Sequence, residues 1–204
     1  MQYTVKHCAI VVLAAGRSSR LGSPKQLLNY QGKSLLQHAV EVALETTMRP
    51  VIVVTGYDKY VVKKELEGMN VEVVENERWK EGMSLSLHSG VAAAEKISAD
   101  VDGIIFMVCD QPHINKSLLE SLLSKQQKKA MPIVASSYNN TLGTPALFHK
   151  SFFNELMELR GDAGAGKLIK QHKDLVATVA FPKGIVDIDT KKDYEDLLQQ
   201  KTIA

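Results

Sequence analysis

The feature that most constrains the fold is an alternation of short apolar runs with segments whose apolar residues recur at helical spacing. Residues 8–13 form an unbroken apolar run, which is typical of a strand buried on both faces of a sheet. Further strand-like runs lie at 51–56, 71–74, 103–110 and 132–137, and helical patterns lie at 34–47, 60–66, 85–95 and 118–123. This repetition predicts an α/β protein of three layers, Rossmann-like, with a mostly parallel sheet and helices on both faces.

The composition is that of an ordinary globular protein and excludes several classes of partner. No linker, repeat or low-complexity segment interrupts the 204 residues, which favours a single domain over 1–204. The formal net charge of +2 gives no basic excess for nucleic acid, and no apolar run reaches the ~20 residues of a membrane-spanning helix. Cys8 and Cys109 lie in apolar runs, as buried free thiols of a reducing compartment do. We therefore expect a cytoplasmic protein that binds neither nucleic acid nor membrane.

Three polar segments lie directly after predicted apolar strands, at positions where a ligand site is expected. They are the loop after Leu13, the sequence CDQP at 109–112 and the sequence DID at 187–189. Ligands of open α/β sheets bind beyond the carboxyl ends of the strands. Convergence of the three segments on that edge predicts one shared site.

The loop within residues 10–26, IVVLAAGRSSRLGSPKQ, combines several cations with little side-chain bulk. Gly16 and Gly22 allow a tight turn and close approach of a ligand, and exposed backbone N–H groups in such a turn attract anions. Arg20 can present a planar fork to phosphate oxygens, and Lys25 a compact charge. The combination favours a triphosphate. A solvated surface loop is the alternative, because the spacing matches neither GxGxxG nor a Walker A motif.

A second segment imitates a phosphate-binding motif. Residues 161–167, GDAGAGK, satisfy the spacing GxxxxGK. However, Leu168 stands where the motif needs a hydroxyl, and the preceding residues 152–160 have a helical pattern where a P-loop has a strand. We exclude a P-loop here.

The sequence LAAGRSSRLGSPKQLL at 13–28 resembles the signature of the MobA-like nucleotidyltransferases. The likeness continues in order through NERWKEGMSLSLHSG (76–90), CDQP (109–112), GTPALF (143–148), RGDAGAG (160–166) and DIDTKKDY (187–194). LAAG, DQP and the GMSLSL stretch look most like the molybdenum cofactor cytidylyltransferase branch, whereas the guanylyl branch more often has LAGG and Gly-Asp-Met-Pro. The resemblance implies the nucleotide-diphospho-sugar transferase type of fold.

The activity that this resemblance implies is transfer of CMP from CTP to the terminal phosphate of molybdenum–molybdopterin, with release of pyrophosphate. It implies Lys25, Arg20 and Asp110 as catalytic residues, and Mg²⁺ as cofactor with Asp110 and Asp189 as ligands. The residues that it implies in substrate binding are Leu13, Ala14, Ala15, Gly16, Arg17, Ser18, Ser19, Gly82, Met83, Ser84, Gly143 and Pro145. Of these, Gly143 and Pro145 would shape the acceptor side. One departure from related sequences is Gly166, where an arginine is common; Lys167 follows it.

The chemistry itself explains why these residue types suffice. Both substrates are anionic, so the protein must mainly position and neutralise them. Lys25 and Arg20 with a divalent cation form a minimal set of positive charges, and Mg²⁺ usually takes only one or two protein carboxylates. The accepting phosphate is already ionised at neutral pH, so no catalytic histidine or cysteine is required.

Each of these residues also has a purely structural interpretation. Asp110 can simply end a strand, and Asp189 and Thr190 with Asp193 can cap a helix. Ser84 and Ser86 can satisfy backbone donors at a helix start. The single tryptophan, Trp79, can stack on a ring or serve as a packing residue.

Two alternatives to a cytidylyltransferase remain at the level of function. One is a MobA-like nucleotidyltransferase that uses GTP, or a sugar-phosphate or alcohol-phosphate acceptor. The other is a non-catalytic carrier that delivers the finished cofactor to a recipient molybdenum hydroxylase. The phosphate-loop and metal-ligand residues favour an enzyme, because a carrier needs neither.

Overall fold

The computed structural model describes residues 3–18, 21–57 and 59–199. Its strands are β1 (Cys8–Ala14), β2 (Asn29–Tyr30), β3 (Lys33–Ser34), β4 (Val51–Thr55), β5 (Glu72–Glu75), β6 (Gly103–Val108), β7 (Ile133–Tyr138), β8 (Thr141–His149) and β9 (Val176–Ala180). Its α-helices are α1 (Leu35–Leu44), α2 (Lys59–Glu65), α3 (Met83–Ile97), α4 (Lys116–Lys129), α5 (Phe153–Glu158), α6 (Gly166–Gln171) and α7 (Lys191–Gln199).

A seven-stranded sheet in the order β5-β4-β1-β6-β8-β7-β9 forms the centre of the described residues, and β2 and β3 form a separate antiparallel pair. All strands of the large sheet except β8 run in one direction, because β8 is antiparallel to both β6 and β7. The predicted α/β fold with a mostly parallel sheet is confirmed.

The central strand β1 shows why its sequence is an unbroken apolar run. Ile10 and Val12 belong to a core that includes apolar residues of α1, α2 and α4, whereas Ala9 and Val11 belong to a core with α3, α5 and α6. All four are fully buried. A fully buried aliphatic side chain of this kind contributes about 1.5–3 kcal/mol, so helices on both faces require apolar residues at every position.

The second half of the sheet departs from the sequence prediction. β8 and β9 were not predicted, and β8 runs against its neighbours, so the sheet is not built of strand–helix–strand units throughout. The segment 187–189 does not directly follow a strand, because a 3₁₀ turn at Pro182–Ile185 separates it from β9. It still reaches the carboxyl edge of the sheet, since the backbone N–H of Ile188 donates to the carbonyl oxygen of Asp110 at 3.0 Å.

Both cysteines belong to the same buried apolar core. Cys8 and Cys109 are buried free thiols, as expected. Burial, assisted by the charge of Asp110, raises the pKa of Cys109 to about 12, which keeps it a neutral thiol at physiological pH. None of the helices in the described parts of the chain has both the length and the apolar character needed to cross a bilayer.

Candidate active site

Three charged side chains from distant parts of the sequence meet at the carboxyl edge of the sheet. Lys25 starts a short 3₁₀ turn, Asp110 follows β6, and Asp189 precedes α7. The Lys25 ammonium donates to Asp110 Oδ2 and, at 2.9 Å, to Asp189 Oδ1. The side chains of Lys25 and Asp110 are only 17% and 15% exposed. Their charges therefore interact in a place that water screens weakly.

The carboxylates hold Lys25 in its charged form. Burial alone would lower the pKa of the Lys25 ammonium, but contacts with Asp110 and then Asp189 outweigh it, so the pKa lies above its ordinary value. A third carboxyl group, that of Asp187, is close enough to respond. Partial burial, followed by the charges of Asp189 and Asp110, raises the pKa of Asp187.

The loop after β1 is fixed by a residue that the sequence analysis did not select. Gln26 is 2% exposed, and its side-chain Nε2 donates to the carbonyl oxygens of Ala14 at 2.9 Å and Gly16 at 2.8 Å. The backbone N–H of Lys25 donates to Ser18 Oγ at 3.0 Å. These bonds fold the loop back over the end of β1 and bring Lys25 to the sheet edge. No sequence pattern marks Gln26, because its partners are backbone atoms.

A cleft of about 330 Å³ opens between this loop, the end of β6 and the start of α3. The predicted site residues that line it are Leu13, Ala14, Ala15, Gly16, Arg17, Lys25, Gly82, Met83 and Asp110. Residues that line it without having been selected as site residues are Gln26, Trp79, Lys80, Ser86, Val108, Cys109 and Asp162. Four segments far apart in sequence thus form one concave surface.

Other predicted residues lie near the cleft or outside the described part of the chain. Ser19 and Arg20 fall outside the described residues. Ser18 supports the loop from behind through its bond to Lys25, and Asp189 contacts Lys25 without lining the cleft. Ser84 is fully buried, and its hydroxyl oxygen has no hydrogen-bond partner among the described residues.

Gly143 and Pro145 do not line the cleft. Both lie on β8, where a Cβ on Gly143 would come within 2.4 Å of the Tyr138 hydroxyl, and Pro145 O accepts a hydrogen bond from Ser136. Thr144 between them donates to Gln111 Oε1 at 3.3 Å, next to Asp110. The pair therefore shapes the β7–β8 packing behind the site, and a role toward the acceptor stays a prediction.

The start of α3 faces the cleft, and its backbone packs closely against a second glycine, Gly161. Gly82 precedes the helix with φ of 113°, and no side chain caps the helix. A Cβ on Gly82 would lie 2.2 Å from the carbonyl carbon and oxygen of Gly161, so only glycine fits. The interpretation of Ser84 and Ser86 as capping residues is therefore wrong, since Ser86 Oγ instead accepts from Asn76 at 3.0 Å. The backbone N–H of Ser84 donates to the carbonyl oxygen of Gly161 at 3.1 Å. The positive end of the α3 dipole, which no side chain caps, favours an anion nearby.

An aromatic ring, that of Trp79, lines one end of the cleft and packs against Tyr57. The rings of Tyr57 and Trp79 meet edge to face with centroids 5.3 Å apart. The Arg17 guanidinium lies 5.6 Å from the Tyr57 centroid, and the Lys80 ammonium lies 5.5 Å from the Trp79 centroid. Trp79, half-buried, lines the cleft. An aromatic surface flanked by cations can hold a planar, negatively charged substrate.

The two interpretations of the DID segment apply to different residues. Thr190 Oγ1 accepts from the backbone N–H of Asp193 at 3.2 Å, and Asp193 Oδ2 accepts from the backbone N–H of Thr190 at 2.7 Å. This reciprocal pair caps α7. The Asp189 side chain, one residue earlier, contacts Lys25 instead. Helix capping thus positions the carboxylate that reaches the site.

The donor set at the sheet edge fits a divalent cation that prefers oxygen. Asp110 Oδ1 is buried and has no hydrogen-bond partner in the described residues, which is a costly state for a carboxylate oxygen. Among the same residues there is no group of three or more His, Cys, Asp or Glu side chains that could hold a metal by themselves. A cation here would take Asp110 and Asp189 as ligands and complete its coordination with substrate oxygens and water, as Mg²⁺ usually does.

An open α/β sheet with a cationic loop, a helix start without a side-chain cap and two carboxylates at its carboxyl edge defines an enzyme that handles nucleotide phosphates. The chain belongs to the MobA-like NTP transferase domain family, whose match covers residues 10–176. It is therefore a nucleotidyltransferase, and the resemblance at the level of the family is confirmed.

Relatives and solved structures match nearly the whole chain. A "Probable molybdenum cofactor guanylyltransferase" of Bacillus cereus (strain ATCC 10987 / NRS 248) is 32% identical over 197 residues, or 90% of this chain and 92% of that protein. "Nicotine blue oxidoreductase" of Paenarthrobacter nicotinovorans is 28% identical over 200 residues, or 92% and 95%. The crystal structure of Rv0371c from Mycobacterium tuberculosis H37Rv matches with TM-score 0.80 at 32% identity, covering 95% of this chain and 99% of that one. A manganese complex of Rv0371c matches with TM-score 0.80 at 29% identity and the same coverage, which indicates divalent-metal use in the family.

Proposed function

We propose that this nucleotidyltransferase transfers CMP from CTP to the terminal phosphate of molybdenum–molybdopterin and releases pyrophosphate. The observation that carries the proposal is the placement of Lys25 and Asp110 on one cleft with the small residues 14–16. Small residues leave room for the nucleoside, while the charged pair meets the phosphates. The relative named molybdenum cofactor guanylyltransferase supports a molybdopterin acceptor.

The residues in and beside the cleft have distinct roles in this reaction. Lys25 neutralises phosphate oxygens as negative charge moves onto the leaving pyrophosphate, and the start of α3 offers backbone donors to the same group. Trp79 orients a planar ring at the aromatic end of the cleft. Asp110 and Asp189 hold Mg²⁺, which supplies further positive charge to the phosphates. Positioning and charge neutralisation account for most of such a transfer.

No general base is needed in this proposal. The accepting phosphate carries negative charge at neutral pH, so no proton has to be removed before attack. Of the two histidines nearest the site in sequence, neither His88 nor His113 lines the cleft. Cys109 lines it but stays a neutral thiol, because burial raises its pKa to about 12.

CTP is preferred over GTP in this proposal because of the motifs LAAG and DQP, which look most like the cytidylyl branch. The main alternative is a guanylyl enzyme, which the name of the Bacillus cereus relative supports. The measurement is pyrophosphate release from each nucleoside triphosphate with purified molybdenum–molybdopterin and Mg²⁺. We expect CTP to exceed GTP in kcat/KM by about tenfold or more, or about 1.4 kcal/mol. The opposite order would assign the enzyme to the guanylyl branch.

The Asp110→Asn variant, which keeps the size of the side chain, distinguishes an enzyme from a non-catalytic carrier. A catalyst loses nearly all pyrophosphate release in this variant, because the metal ligand is weakened. A carrier would still deliver preformed cofactor dinucleotide and activate a cofactor-free molybdenum hydroxylase as well as the unmodified chain does. Wild-type pyrophosphate release in Asp110→Asn would contradict the catalytic role of Asp110.

A further inference from the structure

Lys25 occupies the position between the two carboxylates that would hold a divalent cation. Its ammonium donates to Asp110 Oδ2 and to Asp189 Oδ1. One ammonium thus uses an oxygen of each carboxylate, while Asp110 Oδ1 stays buried without a hydrogen-bond partner in the described residues. The same two side chains thus already bind a cation of the protein itself.

A divalent cation and the Lys25 ammonium compete for these carboxylates. Both need oxygens of Asp110 and Asp189, and two positive charges at contact distance repel strongly where water screens them poorly. A bare cation must therefore displace a well-held ammonium before it can bind.

Nucleotide phosphates would release that competition. Lys25 and Asp110 line the same cleft, so phosphate oxygens in the cleft lie within the range of the flexible lysine stem. A triphosphate offers the ammonium at least as much negative charge as the two carboxylates do. The ammonium can then exchange partners, and the carboxylates become available to a cation that arrives with the nucleotide.

We propose that Lys25 acts as an internal counter-ion that keeps Asp110 and Asp189 closed to divalent cations until nucleotide phosphates attract its ammonium. This inference rests on the proposed function only in taking the incoming ligand to be a nucleotide with its metal. Its consequence is an order of events in which metal and nucleotide enter together. The residue proposed to neutralise phosphate thereby also controls when the metal site opens.

The test is Mn²⁺ binding without nucleotide, measured by electron paramagnetic resonance of the free ion. We expect Lys25→Met to bind Mn²⁺ about tenfold or more tightly than the unmodified chain, because the competing ammonium is gone. Lys59→Met is the matched control, because it also removes one ammonium. That ammonium forms an ion pair with Glu75 at 2.7 Å, away from the cleft. The control should stay within about twofold of the unmodified affinity. Unchanged or weaker Mn²⁺ binding by Lys25→Met would overturn the proposal.

The double variant Lys25→Met/Asp110→Asn shows where the additional Mn²⁺ binds. Loss of the gained affinity supports binding at Asp110, whereas a retained gain places the ion elsewhere and contradicts the proposal. Neither variant is tested with CTP or an acceptor, so the result is independent of which nucleotide the enzyme prefers.

A measurement on the unmodified chain covers the case in which Lys25→Met does not fold. Acylation of Lys25 by a water-soluble N-hydroxysuccinimide ester is followed by mass spectrometry, with Lys59 as the internal reference. Saturating Mn²⁺ should accelerate acylation of Lys25 relative to Lys59, because a lysine side chain released from the carboxylates becomes more accessible to the reagent than its present 17% exposure allows. A rate that Mn²⁺ leaves unchanged would show that ion and ammonium do not compete.

Discussion

The side-chain amide of Gln26 donates to the carbonyl oxygen of Gly16 at 2.8 Å, and through the same nitrogen to Ala14 at 2.9 Å. One buried side chain thus joins the last residue of β1 to the turn that follows it. Lys25 is the neighbour of Gln26, so this amide also fixes the place from which the Lys25 side chain leaves the backbone. The position of the ammonium at the sheet edge depends on this local network.

Replacement of Gln26 tests that dependence. Gln26→Leu keeps much of the volume but removes the donor shared by Ala14 and Gly16, so we expect a loss of about 1–3 kcal/mol in the free energy of unfolding. We also expect weaker nucleotide binding, since the loop and Lys25 lose their fixed position. Urea denaturation and nucleotide titration measure the two effects. Gln171→Leu, at an exposed position, is the control and should change stability by less than about 0.5 kcal/mol. Equal stability of the two variants would contradict the structural role of Gln26.

The glycine contact at the start of α3 gives a second prediction. Gly82→Ala places a methyl group 2.2 Å from Gly161 and at a φ of 113°, so we expect a loss of about 2–4 kcal/mol in stability. Gly16→Ala is the matched comparison, because a Cβ there meets nothing within 4 Å. Its stability should stay within about 0.5 kcal/mol of the unmodified chain, while nucleotide affinity falls because Gly16 lines the cleft. Thermal unfolding measures both variants, and equal melting temperatures would contradict the prediction.

Trp79 provides an optical signal from inside the cleft. It is the only tryptophan in the sequence, so intrinsic fluorescence reports this position alone. We expect CTP to change its emission, and Trp79→Ala to weaken CTP binding by about 1–3 kcal/mol if a ring of the ligand stacks there. Trp79→Phe, which retains an aromatic face, should recover most of the affinity in a calorimetric titration. An emission that CTP does not alter would place the ligand away from this end of the cleft.

Local sequence patterns predicted those parts of the fold that depend on residues close together in the sequence. The unbroken run of β1 required two covering layers, and the polar sequence after β6 placed Asp110 at the carboxyl edge of the sheet. β8 and β9 escaped prediction because β8 pairs with the distant strand β6 as well as with the adjacent β7, and β9 pairs with the distant β7. In addition, β8 runs against both of its neighbours. Such pairings follow from the whole sheet and leave little trace in a window of ten residues.

The candidate site shows the same division between local and long-range information. Motif resemblance selected Lys25, Asp110 and Asp189, which the structure brings together. It could not select Gln26, whose partners are backbone carbonyls. Gly143, which it selected for the acceptor side, lies outside the cleft, and that role stays a prediction. A residue's type reveals which chemistry it can perform, whereas its neighbours in space decide whether it meets a substrate.

The carboxyl group of Asp187 predicts a dependence of stability on pH. Partial burial and the charges of Asp189 and Asp110 raise its pKa in the folded protein. The folded state then holds this proton more tightly than the unfolded state, so the associated stability is present below the unfolded pKa and is lost as pH rises through the folded pKa. The side chain of Asp187→Asn has no such proton to lose, so the variant does not lose stability in this way as pH rises. We therefore expect the variant to gain stability relative to the unmodified chain as pH rises from about 4 to about 7.

Urea denaturation of both proteins across this pH range measures the effect. Asp174→Asn, which removes an exposed carboxylate at another 3₁₀ turn, controls for the change of net charge. The stability difference between Asp187→Asn and the unmodified chain should grow with pH, and the corresponding difference for Asp174→Asn should not. A difference that stays flat, or that shrinks as pH rises, would mean that Asp187 does not interact with Asp110 and Asp189. The cluster of carboxylates around Lys25 would then be limited to the two residues that contact its ammonium.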